Sequence, residues 1–558
     1  MSSESFSPAG ARNLTSVFAV HGADPEVLAY AMAKYSRSSL SMRESLTEIS
    51  AQRAEQFLNT FYFQYGHRSI ADLAHIAFAV ERLSLLAAIV LVDEQRWDGQ
   101  ERSTRYQNFL KSGWFFPDFG GHAEPAQLYA QTIENLFAAY QRVTTAVLEA
   151  LRRRVPCPAA LKPDAYERTL KARAFDVARY LLPLATNTSL GQIVSARTLE
   201  NQVSRLLSHP AAEVRDLGLK LREAATGPAW SVSAQAAAAL VEKLKAAEVL
   251  CQGTTSVVPQ SCEYTKGALA PEGSLAAEAA DLLTREVRAA PTLVKYAQPS
   301  EYAIQTQAEL AQAAGELLGA IPIAPVPLVD LVERTETLEV ELAATLLYSA
   351  AHHPYRQIRD LVAGFPAARV GEIVELGLRH RGRHDEALRA FQAGAALRFD
   401  ILMDIGGFRD MHRHRRCTQI IQPFTTLHGY EIPTSGDLGS EDQDGYIDIL
   451  IEAYCRADFI SAIDAAHAAS AQIAASPAPE AAQSALYLLP LATRVRSLFK
   501  MDFAEAQYII ELRSGPAGHF SYRRVAWEMF LAFERQHPAL ARSIRVTDFT
   551  KPIDILQR

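Results

Sequence analysis

Apolar positions along the chain fall mostly at helical spacing. Ala54, Phe57, Leu58 and Phe61 stand at i, i+3, i+4 and i+7, and the pattern stops at Gly66, a usual helix terminator. Ile76, Phe78 and Val80 alternate, which predicts a short strand, and the apolar run Leu85 to Val92 follows. Leu397, Phe399, Ile401, Met403 and Ile405 also alternate, but Leu397, Ile401, Ile405 and Phe408 fit a helix as well. Periodicity leaves that segment open, and Gly406-Gly407 weakens either element. Tyr522 to Gln536, rich in Arg and Glu, reads as an amphipathic helix closed by Pro538.

The pattern repeats. Leu-Pro-Leu-Ala-Thr occurs at Leu182–Thr186 and again at Leu489–Thr493, 307 residues on. Tyr35-Ser36 returns as Tyr348-Ser349 after 313, and Gly66-His67-Arg68-Ser69 has a looser echo in Gly382-Arg383-His384-Asp385 after 316. Three matches in one order at nearly one offset predict a diverged tandem duplication. Between the copies, Ser231 to Ala247 is Ala-rich, a concentration of turn residues follows, and Ala276 to Ala289 looks helical again. This organisation predicts an N-terminal domain over 1–230, a helical linker over 231–300 and a C-terminal domain over 301–558.

Composition narrows the class. At ~100–200 residues per domain, 558 residues hold two to four domains. A formal charge of -7 argues against a protein that coats a nucleic-acid polymer by bulk electrostatics. The longest apolar run is too short to span a bilayer, and the N-terminus has neither a basic start nor an apolar core, so neither export nor membrane insertion is expected. Five scattered cysteines without a CxxC exclude a disulfide framework and a zinc ribbon, and suit a cytoplasmic protein. His380 and His384, and His352-His353, read as surface residues rather than metal ligands, and Cys417 as structural.

Two clusters could carry chemistry. His412-Arg413-His414-Arg415-Arg416 concentrates cations that an anion would hold together, since guanidiniums match phosphate oxygens bidentately. Glu101-Arg102-Ser103-Thr104-Arg105-Tyr106 places a hydroxyl and a guanidinium two apart, on one side of an extended segment, as a phosphomonoester requires. Composition alone favours a solvated basic face for the first cluster and a polar loop for the second. Dinucleotide, P-loop, zincin and nucleophile-elbow motifs are absent.

Taken together, these residues resemble the flavin-dependent thymidylate synthases. That family's pattern is Arg-His-Arg, seven residues, then Ser and Arg-Tyr, with an upstream Gly-His-x-Ser/Thr and a downstream Leu-Pro-Leu segment ending in a substrate-binding Arg. The first copy keeps Gly66-His67-Arg68-Ser69 and Glu101-x-Ser103-x-Arg105-Tyr106 but has Asp93-Glu94-Gln95 where Arg-His-Arg belongs. The second keeps Arg413-His414-Arg415 but has Pro423 for the serine and Thr425-Thr426 for Arg-Tyr. Leu-Pro-Leu runs the family's distance to Arg513 in the second copy, while Arg205 in the first falls one residue short. Asp410 stands where the family usually has a nucleotide-contacting Gln.

The resemblance implies a helix-rich α+β fold, each copy a small antiparallel sheet with helices. It implies FAD held by Arg413, His414 and Arg415, lined by His67 and Ser69. Ser103, Arg105 and Glu101, with Arg205 and Arg513, would hold deoxyuridine monophosphate, and Arg513 would polarise the uracil carbonyl. NADPH would reduce the flavin and methylenetetrahydrofolate supply the carbon, with no cysteine nucleophile. Complementary loss implies one composite site shared between the copies, and a homodimer of fused chains mimicking the family tetramer. The rival readings are one-carbon transfer to another pyrimidine nucleotide, a flavin- or nucleotide-binding pseudoenzyme, and a helical scaffold docking an acidic partner.

Overall fold

The computed structural model describes residues 24–34, 68–230, 287–382, 385, 387–433, 449–551 and 554–556. The N-terminal helical pattern ending at Gly66, residues Tyr35, Ser36, His67 and His384, and 231–286 of the expected linker lie outside them. Cα proximity divides the chain into two compact units. In the smaller, helix α1 (Pro25–Lys34) presents Glu26, whose carboxylate accepts from the amides of Thr292 and Leu293 at 2.9 and 2.7 Å. The larger is made of Ala77–Val194, Thr198–Glu223 and Tyr296–Arg558 and so draws on both halves of the sequence.

Each half contributes a similar succession of elements. In the first, β1 (His75–Ser84), α2 (Leu85–Leu91), β2 (Asp98–Glu101), α3 (Ala123–Arg154), α4 (Pro163–Ala178), β3 (Asn187–Ser195), α5 (Ala196–Leu207) and α6 (Ala212–Thr226) follow one another. In the second, β4 (Val329–Leu331) and α7 (Leu338–Tyr348) precede β5 (Leu397–Asp404), α8 (Ile405–Met411), β6 (Thr418–Ile421), α9 (Arg456–Ala474), β7 (Arg494–Met501), α10 (Phe503–Ser514) and α11 (Phe520–Gln536). The strands form antiparallel sheets of order β1-β3-β2 and β4-β5-β7-β6. Helices α2 and α8 begin and end 320 residues apart, and α5 and α10 begin and end 307 apart. The duplication is thus visible in the backbone.

The segment that periodicity left open is strand first and helix second. Over Leu397–Asp404, alternation sends Leu397, Phe399, Ile401 and Met403 to one face and Arg398, Asp400 and Asp404 to the other, and both faces are covered. The charged face is neutralised locally. Asp400 accepts from Tyr348 Oη at 2.9 Å, the Tyr355 amide at 2.8 Å and Arg496 Nη1 at 3.2 Å, Lys500 Nζ meets Glu341 at 3.1 Å, and Arg398 pairs with Glu336. The turn into α8 is an N-cap: Asp404 Oδ1 accepts from the Gly407 amide at 2.6 Å, as Ser84 Oγ caps α2 through Ala87 at 2.9 Å. Gly406 and Gly407 do not break the helix; they let neighbours approach it. A Cβ on Gly407 would stand 2.3 Å from Ser521 Oγ, and one on Gly406 3.1 Å from Asp404 Oδ1 and 3.5 Å from the Arg179 guanidinium.

The repeated Leu-Pro-Leu-Ala-Thr is where the copies meet. Leu184 N–H donates to Leu489 O and Leu491 N–H to Leu182 O, both at 2.9 Å, around a Pro183–Pro490 antiparallel bridge. The same segments receive the helix starts: Thr186 and Leu184 carbonyls accept from Leu85 and Leu86, and Thr493 and Leu491 from Ile405 and Gly406. One backbone stretch therefore pairs the copies and seats α2 and α8. This double use explains why the motif survives where the surrounding sequence has diverged.

Candidate functional site

Beside α8, side chains from the two copies converge. The first copy sends Arg105 from the turn after β2. Its Nε and Nη2 form a fork with Asp176 of α4 at 2.7 and 3.2 Å, while Nη1 donates to Tyr522 Oη of α11 at 2.8 Å and Nη2 to the Ala517 carbonyl at 3.2 Å. Three partners on two copies fix a buried guanidinium. Ser103 and Arg105 do not lie along an extended strand: Ser103 Oγ accepts from the Arg105 amide at 3.2 Å, closing a tight turn. On β2, Glu101 receives Arg409 Nη2 of α8 at 2.7 Å, a second link between the copies, and both side chains are nearly enclosed.

The second copy supplies the other wall. Arg513, in the last turn of α10, lies over the Tyr522 ring with Cζ 5.3 Å from its centroid, and its Nε donates to His414 Nε2 at 2.8 Å. That bond assigns the His414 proton to Nδ1, which faces Glu505 at 3.5 Å. Burial holds this imidazole below its usual pKa against the pull of Glu505, and Arg513 acts with burial. His414 is therefore a neutral strut under Arg513.

Arg415 lies over the Trp97 ring of the first copy at 5.3 Å, and its Nε and Nη2 are buried without hydrogen-bond partners. Burial pushes its pKa down to about 10, against Asp93 and Glu101. Arg413 is exposed and makes no hydrogen bond or ion pair among the described residues. Orphaned donors on Arg415 and an uncommitted guanidinium on Arg413 fit an anionic, flat cofactor docking on this side.

Two residues that sequence reasoning passed over complete the site. Arg179, in the short 3-10 turn after α4, is 1% exposed, reaches Asp410 Oδ2 with Nη1 at 3.3 Å, and keeps Nε and Nη2 without partners. Asp176 holds Arg105. The available signal was asymmetry between the copies: at the 307 offset of the repeated motif, Arg179 becomes Leu486 and Asp176 becomes Gln483. The 320 offset likewise turns Asp410 into Val90. The site-forming set thus occurs once per chain.

The acids that replace Arg-His-Arg in the first copy have become struts. Asp93 Oδ1 meets Arg389 Nη1 at 2.5 Å and lies 3.5 Å from His412 Nε2. Burial pushes this carboxyl up, but Arg389, His412 and Arg205 together hold it well below the usual range. Glu94 accepts Arg205 Nη2 at 2.7 Å, and Arg205 Nη1 donates to the Val90 carbonyl at 2.8 Å. Because α5 and α10 share their register, Leu206, not Arg205, stands at the position of Arg513.

The structure therefore gathers Ser103, Arg105, Glu101, Arg413, His414, Arg415 and Arg513 in one region, and turns Arg205 to Glu94. Of Ser69 only the backbone, in the 3-10 turn Arg68–Leu73, is described. Cys417 is buried and its thiol is pushed up to about 12 by burial. His353, expected at the surface, is buried with Nε2 2.7 Å from the Ile321 carbonyl, because it packs under the loop before β4. No described helix is long and apolar enough to cross a membrane.

A duplicated, helix-rich α+β chain with an arginine-lined site between its copies defines a class, and comparison with known proteins places it. The thymidylate synthase complementing protein family matches twice, over residues 18–227 and 330–539, and the chain belongs to that family. It is similar along its length to UPF0159 proteins: 26% identity with that of Chlamydia muridarum over 94% of this chain and 91% of the relative, and 23% with that of Thermoplasma acidophilum over 93% and 94%. A flavin-dependent thymidylate synthase of Clostridium tetani is 22% identical over 32% of this chain and 68% of its own. Among solved structures, the flavin-dependent thymidylate synthase of Helicobacter pylori, complexed with FAD and dUMP, aligns at 17% identity and a TM-score of 0.24, covering 36% of this chain and 89% of that one.

Proposed function

We propose that the chain is a flavin-dependent methyltransferase that converts dUMP to dTMP at one composite site per chain. Family membership supports the reaction class, and one observation carries the composite site: Arg105 of the first copy is bonded to Tyr522 and Ala517 of the second, beside Arg513. In this reading Ser103 and Arg105 take the phosphate, Arg513 polarises a uracil carbonyl, and Arg413 and Arg415 hold FAD. When bound, the reduced flavin supplies the hydride chemistry, with NADPH and methylenetetrahydrofolate as co-substrates. The protein's part is electrostatic. It aims preset guanidiniums at a nucleotide and keeps His414 neutral, so that Arg513 stays free to act on the carbonyl. His67 and Ser69 are assigned to the flavin, and a homodimer of fused chains to the assembly.

The test is rescue of a thymidine auxotroph lacking other thymidylate synthases. The chain should rescue, purify yellow with flavin absorbance, and lose both properties on Arg413→Ala. Bound flavin without rescue would point to transfer onto another pyrimidine, and no flavin at all would reject the reading.

A further inference from the structure

The cradle described above holds four guanidiniums, Arg105, Arg179, Arg413 and Arg513, and carries a carboxylate of its own in their midst. Asp410 sits in the last turn of α8, three residues before Arg413, and reaches Arg179 Nη1 at 3.3 Å. Its side chain keeps 20% of its exposure, against 2% for Arg179. Arg105 and Arg513 share Tyr522, one on its hydroxyl and one on its ring face, and burial, helped by Asp410, raises the pKa of that phenol. Burial pushes the Asp410 carboxyl up, yet Arg179, Arg105, Arg413 and Arg513 outweigh it and keep it ionised.

Its pairing is looser than those of Asp176, Glu101 and Glu94 nearby. Asp176 takes a two-pronged fork from Arg105, and Glu101 and Glu94 each make a contact of 2.7 Å. Asp410 makes one long contact and leaves Arg179 with Nε and Nη2 unpartnered, although that side chain is almost wholly enclosed. A buried guanidinium with two idle donors and one loose anion is a site with its charge met and its geometry unmet.

We propose that Asp410 is a resident counter-anion of the arginine cradle, which an incoming phosphorylated nucleotide must compete with, so that this residue sets the cradle's selectivity for phosphomonoesters over uncharged nucleosides. The proposal rests on the reading of the cradle as a nucleotide site, but the competition is a property of the arginines and can be measured with inorganic phosphate alone. A carboxylate fixed among the arginines repels a dianion and neutralises part of the field that attracts it. An amide of the same shape keeps the steric outline and removes the charge.

Inorganic phosphate, dUMP and deoxyuridine are titrated calorimetrically into the full chain and into Asp410→Asn at one fixed salt concentration. Phosphate and dUMP should each bind roughly tenfold or more tighter to the variant, with deoxyuridine unchanged, the size expected for removing one close like charge. Phosphate affinity that is unchanged or weaker in the variant overturns the proposal, as does tightening of deoxyuridine by the same factor. If phosphate tightens but dUMP binds no better than phosphate, the counter-anion role stands and the pyrimidine reading fails. Asp410→Gln serves as the second variant should the Asn form not fold, with the same expected tightening.

Discussion

Arg105 is held by three groups that each remove a different freedom. The Asp176 fork fixes the guanidinium plane, the Ala517 carbonyl fixes its depth, and Tyr522 Oη ties it to the second copy. Tyr522→Phe deletes only the last, leaving the ring beneath Arg513. A hydrogen bond to a charged group contributes ~1.5–3 kcal/mol, so its loss should lower the melting temperature by a few degrees, and the loosened Arg105 should bind dUMP about tenfold more weakly. Titration of dUMP beside a thermal melt checks this. Residues of this kind were only partly legible. Ser103, Arg105, Arg413 and Arg513 stand out because they belong to a local pattern. Asp176, Arg179 and Tyr522 do not, because each looks ordinary in its own helix and gains its role from partners 71 to 417 residues away.

At the scale of elements, β5 and β7 carry a charged face into the interior, where Lys500 meets Glu341, Thr345 and the Gln392 carbonyl at 3.1, 2.9 and 3.2 Å. Removing one member of such a pair leaves a buried charge, while removing both leaves none. Lys500→Met should therefore cost about 3 kcal/mol, and adding Glu341→Leu should return most of it. Denaturant unfolding of the single and double variants measures the difference, and an additive double variant would deny the coupling. The same strand shows why periodicity left Leu397–Phe408 open. Buried charges alternating with apolar residues satisfy a strand, while the capped helix after Asp404 continues the apolar set at helical spacing. The glycines that looked like breakers mark close approach of Ser521 and Arg179, a tertiary fact with no local signal.

At the scale of the molecule, duplication was legible because the Leu-Pro-Leu-Ala-Thr backbone serves twice in each copy and so tolerates little change. The division of labour between the copies was legible only in part. Two half-patterns are visible in the sequence, but their convergence needs the Pro183–Pro490 pairing, which no spacing announces. Loss of Arg-His-Arg from the first copy proves constructive, since Asp93 and Glu94 now tie Arg389 and Arg205. The second pseudo-equivalent position has Leu486 and Leu206 for Arg179 and Arg513, and Val90 for Asp410, so it lacks both of those guanidiniums.

The proposed site is built once per chain, from both copies. Calorimetric titration of dUMP into the full chain and into Ser103→Ala tests this most directly. Ser103 lies in the first copy, is half-buried and carries no ion pair; its loss removes one bond to the Arg105 amide but none of the three partners that hold the Arg105 guanidinium. One dUMP should bind per chain, and about tenfold more weakly in the variant, the size of one lost hydrogen bond to a charged phosphate. Two nucleotides per chain, or unchanged affinity in Ser103→Ala, would contradict it.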